Sequence, residues 1–112
     1  MTSIKESFSG TKITTVIDGH ADRVNGEPVV CSKISILGQM LTESLTEYLG
    51  EYSEKLKIET ADGYRKIEVD MSGMSFKQID EILMIFGTVY AGIDIVKDQF
   101  PDKIIIARES KR

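Results

Sequence analysis

Residues 12–49 begin with Lys12-Ile13-Thr14-Thr15-Val16-Ile17-Asp18 and pass through Gly19-His20-Ala21-Asp22-Arg23-Val24-Asn25-Gly26-Glu27-Pro28-Val29-Val30. They then enter a run from Cys31 in which apolar side chains fall at Ile34, Leu37, Leu41, Leu45, Tyr48 and Leu49. The first segment reads as a short strand. The last has the three-and-four spacing of a helix with one buried face, which predicts a helix over 31–49, with Pro28 just upstream and Gly50 just past its end. Between them, Gly, Asn, Asp and Pro with few apolar residues predict a surface loop. This order puts His20 at a strand exit and Cys31 at or near the first turn of a helix.

Upstream, Ile4–Phe8 is a second short strand, joined to the first through Ser9-Gly10 as a β-hairpin. Downstream, Lys55–Thr60 and Tyr64–Asp70 form another hairpin through Ala61-Asp62-Gly63, and Leu56, Ile58, Ile67 and Val69 are expected to point one face toward the core. A second helix is predicted from about Ser75 to Gln99, capped by Ser75 or Ser72. Its Gly87 and Gly92 are each expected to allow a close backbone approach. Pro101 ends it, and Lys103–Ala107 reads as a closing strand. The order β-β-α-β-β-α-β predicts an α+β two-layer sandwich, two helices packed on a mostly antiparallel sheet. No repeat or linker divides the chain, so residues 1–112 are expected to form a single domain.

Composition bounds the function. A chain of 112 residues can bury roughly two thirds of its unfolded surface and needs no disulfide. The net charge of −4 argues against a nucleic-acid binder, and the Arg108–Arg112 basic cluster reads as a solvated tail. No apolar run could span a bilayer, and Met1–Gly10 lacks a secretory pattern, so a cytoplasmic location is expected. Met40, Met74 and Met84 read as core filler.

The single histidine and the single cysteine lie eleven residues apart. A thiol becomes a strong nucleophile when a base takes its proton or a cation stabilises its thiolate, and an imidazole can do either. The free N–H groups and dipole of a helix start also favour an anion. Taken alone, Cys31 is more often a small buried hydrophobe and His20 a loop side chain satisfying local backbone. One Cys and one His supply too few strong ligands for a structural zinc site, so neither metal nor cofactor is expected.

Gly19-His20-Ala21 after a strand, a Gly-containing loop, Val29-Val30-Cys31 opening a helix with Ser35 one turn on, Asp62-Gly63-Tyr64, and Phe100-Pro101-Asp102 before a last strand together resemble the ribosomal-processing cysteine protease (Prp) family. The resemblance implies an endopeptidase with Cys31 as nucleophile and His20 as general base. Its substrate would carry a Phe-rich cleavage segment: the N-terminal extension of a large-subunit ribosomal protein (number twenty-seven), or a phage capsid or scaffold protein. It also implies a homodimer. Pro28 stands where most members have aspartate, so the role of that carboxylate is expected either to pass to Glu27, Asp18 or Asp22 or to be lost, with Ser35 in support. The oxyanion donors are expected to be the N–H groups of Cys31 and Ser32, and the loop, flexible at Asn25 and Gly26, is expected to close over the substrate. The alternative is a non-catalytic relative that binds a ribosomal or phage structural protein through the same groove.

Overall fold

A computed structural model of the chain describes residues 1–111. Its elements are β1 (Thr2–Ser9), β2 (Lys12–Asp18), α1 (Val29–Leu49), β3 (Leu56–Ala61), β4 (Tyr64–Asp70), α2 (Phe76–Gln99) and β5 (Ile104–Lys111). A short 3₁₀ helix, Gly50–Lys55, links α1 to β3 and takes Lys55 out of the strand expected to contain it. The five strands run in the order β3-β4-β2-β1-β5. All neighbours are antiparallel except β1 and β5, which pair in parallel from Thr2 opposite Ile104 to Ser9 opposite Lys111. The expected α+β sandwich is therefore present. Among the described residues no helix is long and apolar enough to cross a membrane.

The core lies between the sheet and the helices. Alternate residues Ile4, Ile13, Ile67, Val69 and Ile104 bury against Val30, Ile34, Leu41 and Leu45 of α1 and Ile82, Phe86, Val89 and Ile93 of α2. Ser75 caps α2 with a capping box: its hydroxyl accepts from the Gln78 N–H at 3.2 Å, and the Gln78 side chain accepts from the Ser75 N–H at 2.9 Å. In contrast, Pro28 caps α1 with no side-chain hydrogen bond, and the first turn holds no acidic residue. The positive end of that helix is left without a neutralising side chain of its own.

Several expectations fail for physical reasons. The outer strand β3 is paired on one side only, so Leu56 is half-buried and Ile58 exposed. Met40 and Met84 point outward rather than filling the core, whereas Met74 packs against it. Arg108 is no tail residue; Arg112 lies outside the described residues. Parallel pairing places Arg108 opposite Glu6 in β5, and its guanidinium bonds Glu6 Oε1 (2.6 Å) and Asp94 of α2. Of the two helical glycines, only Gly92 sits in a close approach. A Cβ there would come 2.6 Å from Leu37 Cδ2 on α1, while Gly87 faces open space. Gly87→Ala should therefore stabilise the fold by about 1 kcal/mol through helix propensity alone. In Gly92→Ala that gain is offset by displacing Leu37, so urea unfolding of both variants should raise the midpoint for Gly87→Ala only.

Glu6 gives a pH test. Its side chain is 5% exposed, Oε2 has no partner among the described residues, and burial pushes its carboxyl above the ordinary value despite Arg108. A folded-state value above the unfolded one means that the native chain holds the proton more tightly. The associated stability is complete below the unfolded value and is lost as pH rises through the folded one. Unfolding from pH 4 to 7 should show wild type losing stability relative to Glu6→Gln, and parallel curves would refute the assignment.

Candidate active site

Gly19, directly after β2, has φ +96°, and a Cβ there would lie 2.6 Å from the Met1 carbonyl oxygen, so both conformation and space require glycine. Its N–H donates to Gly63 O at 2.8 Å, tying the exit of β2 to the β3–β4 turn. That turn also needs a glycine: Gly63 has φ +67°, and a Cβ on it would come 2.5 Å from His20 Nε2. The imidazole thus rests over Gly63. Its side chain is 64% exposed, and Nε2 lies 3.9 Å from Oδ1 of the fully exposed Asp62.

The next residue makes the link to the thiol. Ala21 is buried, its N–H donates to Cys31 Sγ at 3.2 Å, and the Cys31 S–H is 3.7 Å from the Ala21 carbonyl oxygen. An N–H aimed at sulfur stabilises negative charge there. The imidazole is not among the hydrogen-bond partners of Sγ. Cys31 is the third residue of α1, so its own N–H belongs to the unpaired donors of a helix start. The Ser32 N–H, expected to share the oxyanion role, instead donates to Pro28 O at 2.9 Å and closes the first turn.

His20, Cys31 and Ser35 line one cavity of about 260 Å³, with Ile17, Ile34, Tyr64 and Arg65 among its other walls. Ser35 accepts from Gln39 Nε2 at 3.4 Å. The carboxylates proposed to replace the missing aspartate do not reach the ring. Asp18, Asp22 and Glu27 make no ion pair with His20, and Asp62, named in the sequence only as a turn residue, is the one that lies near it. Nor is the 19–30 loop a loose lid. Asn25 and Gly26, at φ 50° and 80°, form a two-residue turn closed by reciprocal Val24–Glu27 bonds of 2.8 and 2.9 Å, and Arg23 Nη1 bonds Gly26 O at 3.0 Å. The β4 contribution, Tyr64 and Arg65, was missed because only the folded sheet brings it beneath α1.

A thiol at the start of α1 facing a cavity that it shares with an imidazole is an arrangement suited to cysteine-dependent hydrolysis, and the class the comparisons give is a cysteine protease. Sequence comparison refines that to a family. The family model of cysteine protease Prp matches residues 1–105, and the chain belongs to that family. Among solved structures, an essential ribosomal processing protease Prp from S. aureus, in complex with a covalently linked product peptide, is 24% identical with a TM-score of 0.70, covering 96% of this chain and 99% of its own. The same protease with a substrate peptide superposes with a TM-score of 0.69 at 21% identity, covering 96% and 99% of the two chains. A protein from Streptococcus mutans gives a TM-score of 0.62 at 18% identity, with 98% of each chain covered. At these identities the structural likeness speaks for the fold. No curated protein sequence matches the chain.

The Gly63 contact is open to test. Gly63→Ala and Gly10→Ala share a left-handed backbone conformation that costs roughly 1–2 kcal/mol for an L-residue, but only the former meets another group, the His20 ring. Gly63→Ala should shift the His20 ring proton resonances, and Gly10→Ala should leave them in place.

Proposed function

We propose that the chain is an endopeptidase in which Cys31 and His20 act as a dyad. The observation that carries this reading is the Ala21 N–H bond to Cys31 Sγ at 3.2 Å, since one segment both presents the imidazole and stabilises the thiolate. The ring turns from its position over Gly63 toward the sulfur. With Nε2 directed at Asp62, Nδ1 exchanges the proton with Sγ.

The thiolate attacks the scissile carbonyl carbon, forming a C–S bond, and the carbonyl π electrons move to oxygen. The Cys31 N–H and the uncapped end of α1 stabilise that oxyanion. Collapse breaks the C–N bond as His20 gives its proton to the departing amine. Water, deprotonated by His20, then attacks the thioester, and the carboxylic product leaves while the thiol regains a proton.

The substrate in this reading is a protein with a Phe-rich cleavage segment, an N-terminally extended ribosomal protein precursor or a phage capsid or scaffold protein, and the enzyme works as a homodimer. Family membership supports this, together with the ribosomal-processing role stated for the S. aureus structures and their substrate and product peptides. The test is incubation with extended ribosomal and capsid precursors. Wild type should release the extension, Cys31→Ala should not, and His20→Ala should be slower by at least ~10²-fold. Cleavage by Cys31→Ala at the wild-type rate would overturn the reading, and so would failure of wild type to cut any precursor. Asp62→Asn should cost less than about tenfold, because a fully exposed ion pair is screened by solvent, unlike the ~10⁴-fold loss for a buried triad aspartate.

A further inference from the structure

We infer that Arg65 makes the active-site cavity selective for peptides that bring an acidic side chain into it, a specificity that deepens the protease reading above and rests on it. Arg65 lies on β4, opposite Ile17 of β2, and its side chain crosses beneath α1. A Cβ on Gly38 would come 3.2 Å from Arg65 Cδ and 3.4 Å from Nε, so the missing side chain on α1 is what makes room for the guanidinium. Nη1 donates to Thr42 Oγ1 at 2.9 Å and reaches Gly38 O at 3.5 Å, and the Thr42 hydroxyl itself donates to Gly38 O at 2.9 Å. These bonds anchor one nitrogen of the group to α1. Among the described residues no hydrogen bond uses its Nε or Nη2.

Arg65 is also without a counter-ion. The ion pairs among the described residues engage Lys5, His20, Lys77 and Arg108, and Arg65 is in none of them. No wall of the cavity carries a carboxylate, and Arg65 is its only permanently charged side chain. The buried carboxylate of Glu6, by contrast, is met by Arg108, which also reaches Asp94. A half-buried guanidinium with unused donors, facing a cavity that carries no carboxylate, is built to receive a planar anion, and a carboxylate matches its fork.

The position fits a peptide side chain rather than a free ion. Arg65 contacts α1 at Gly38, seven residues beyond Cys31, which at ~1.5 Å per residue is roughly 10 Å along the helix. An extended peptide advances ~3.3 Å per residue, so the acidic residue lies within about three positions of the scissile bond. The Ile17 and Ile34 walls accommodate its methylene groups or neighbouring apolar residues.

The test uses tetrapeptidyl chloromethyl ketones, otherwise alanine, in which a single Glu or Gln moves through each position. The Cys31 sulfur forms the S–CH₂ bond as chloride leaves, so labelling reads docking in the cavity without requiring peptide hydrolysis. At one position, wild type should be labelled at least tenfold faster by the Glu probe than by its Gln twin. That ratio should fall to near one in Arg65→Gln and partly persist in Arg65→Lys. It should also shrink with added salt. A wild-type Glu-to-Gln ratio near or below one at every position overturns the inference, and that measurement stands even if the Arg65 variants fail to fold. A preserved ratio in a folded Arg65→Gln overturns it as well. Failure of the protease reading shows up separately, as labelling that is indifferent to His20→Ala.

Discussion

The site depends on a short stretch of main chain between β2 and α1. Gly19 turns the chain out of a central strand in a conformation reserved for glycine and fastens it to Gly63 with a 2.8 Å hydrogen bond. Two residues on, the Ala21 N–H meets Cys31 Sγ at 3.2 Å. These bonds set the distance between the β3–β4 turn, the imidazole and the first turn of α1. None uses a long flexible side chain, so the geometry costs little side-chain entropy to hold. Gly-His-Ala is thus a structural unit in which the flanking residues place the central one.

The sheet explains why that stretch can be so exact. β2 has partners on both sides, β1 and β4, so its exit is held by two ladders. β1 in turn is locked by parallel pairing with β5, reinforced by the Glu6–Arg108 contact. α1 then lies on Ile17 and Arg65 through the notch at Gly38, which fixes where its N-terminus ends up. The helix start itself is uncapped by any side chain at Pro28, leaving the Val30 and Cys31 N–H groups and the partial positive charge beside the thiol.

Local pattern was enough for β2, β4 and both helices, because strand alternation, glycine turns and the Ser75 capping box act within a few residues of chain. It also put His20 at a strand exit and Cys31 near a helix start, while the cavity they share is a product of the whole fold. What the sequence left hidden depends on partners far away in the chain. β5 continues through Arg108 because β1 offers Glu6 there, and no local feature distinguishes that from a charged tail. β3 proved an edge, so its apolar alternation was not matched by burial. Gly87 and Gly92 look alike until Leu37 is seen against only one of them. Asp62 and Arg65 read as turn and strand residues until β4 is laid beside β2 and beneath α1, which sets the Asp62 carboxylate, in the β3–β4 turn, near His20.

The central claim is that His20 and Cys31 act as one chemical unit, and the reactivity of the thiol tests it most directly. The rate of Cys31 carboxymethylation by iodoacetamide, followed from pH 5 to 9 in wild type and His20→Ala, reports whether the imidazole sustains a thiolate. The account predicts that wild type is alkylated at least tenfold faster than His20→Ala over the acidic and neutral part of that range. Superimposable profiles for the two proteins across the whole range would contradict it.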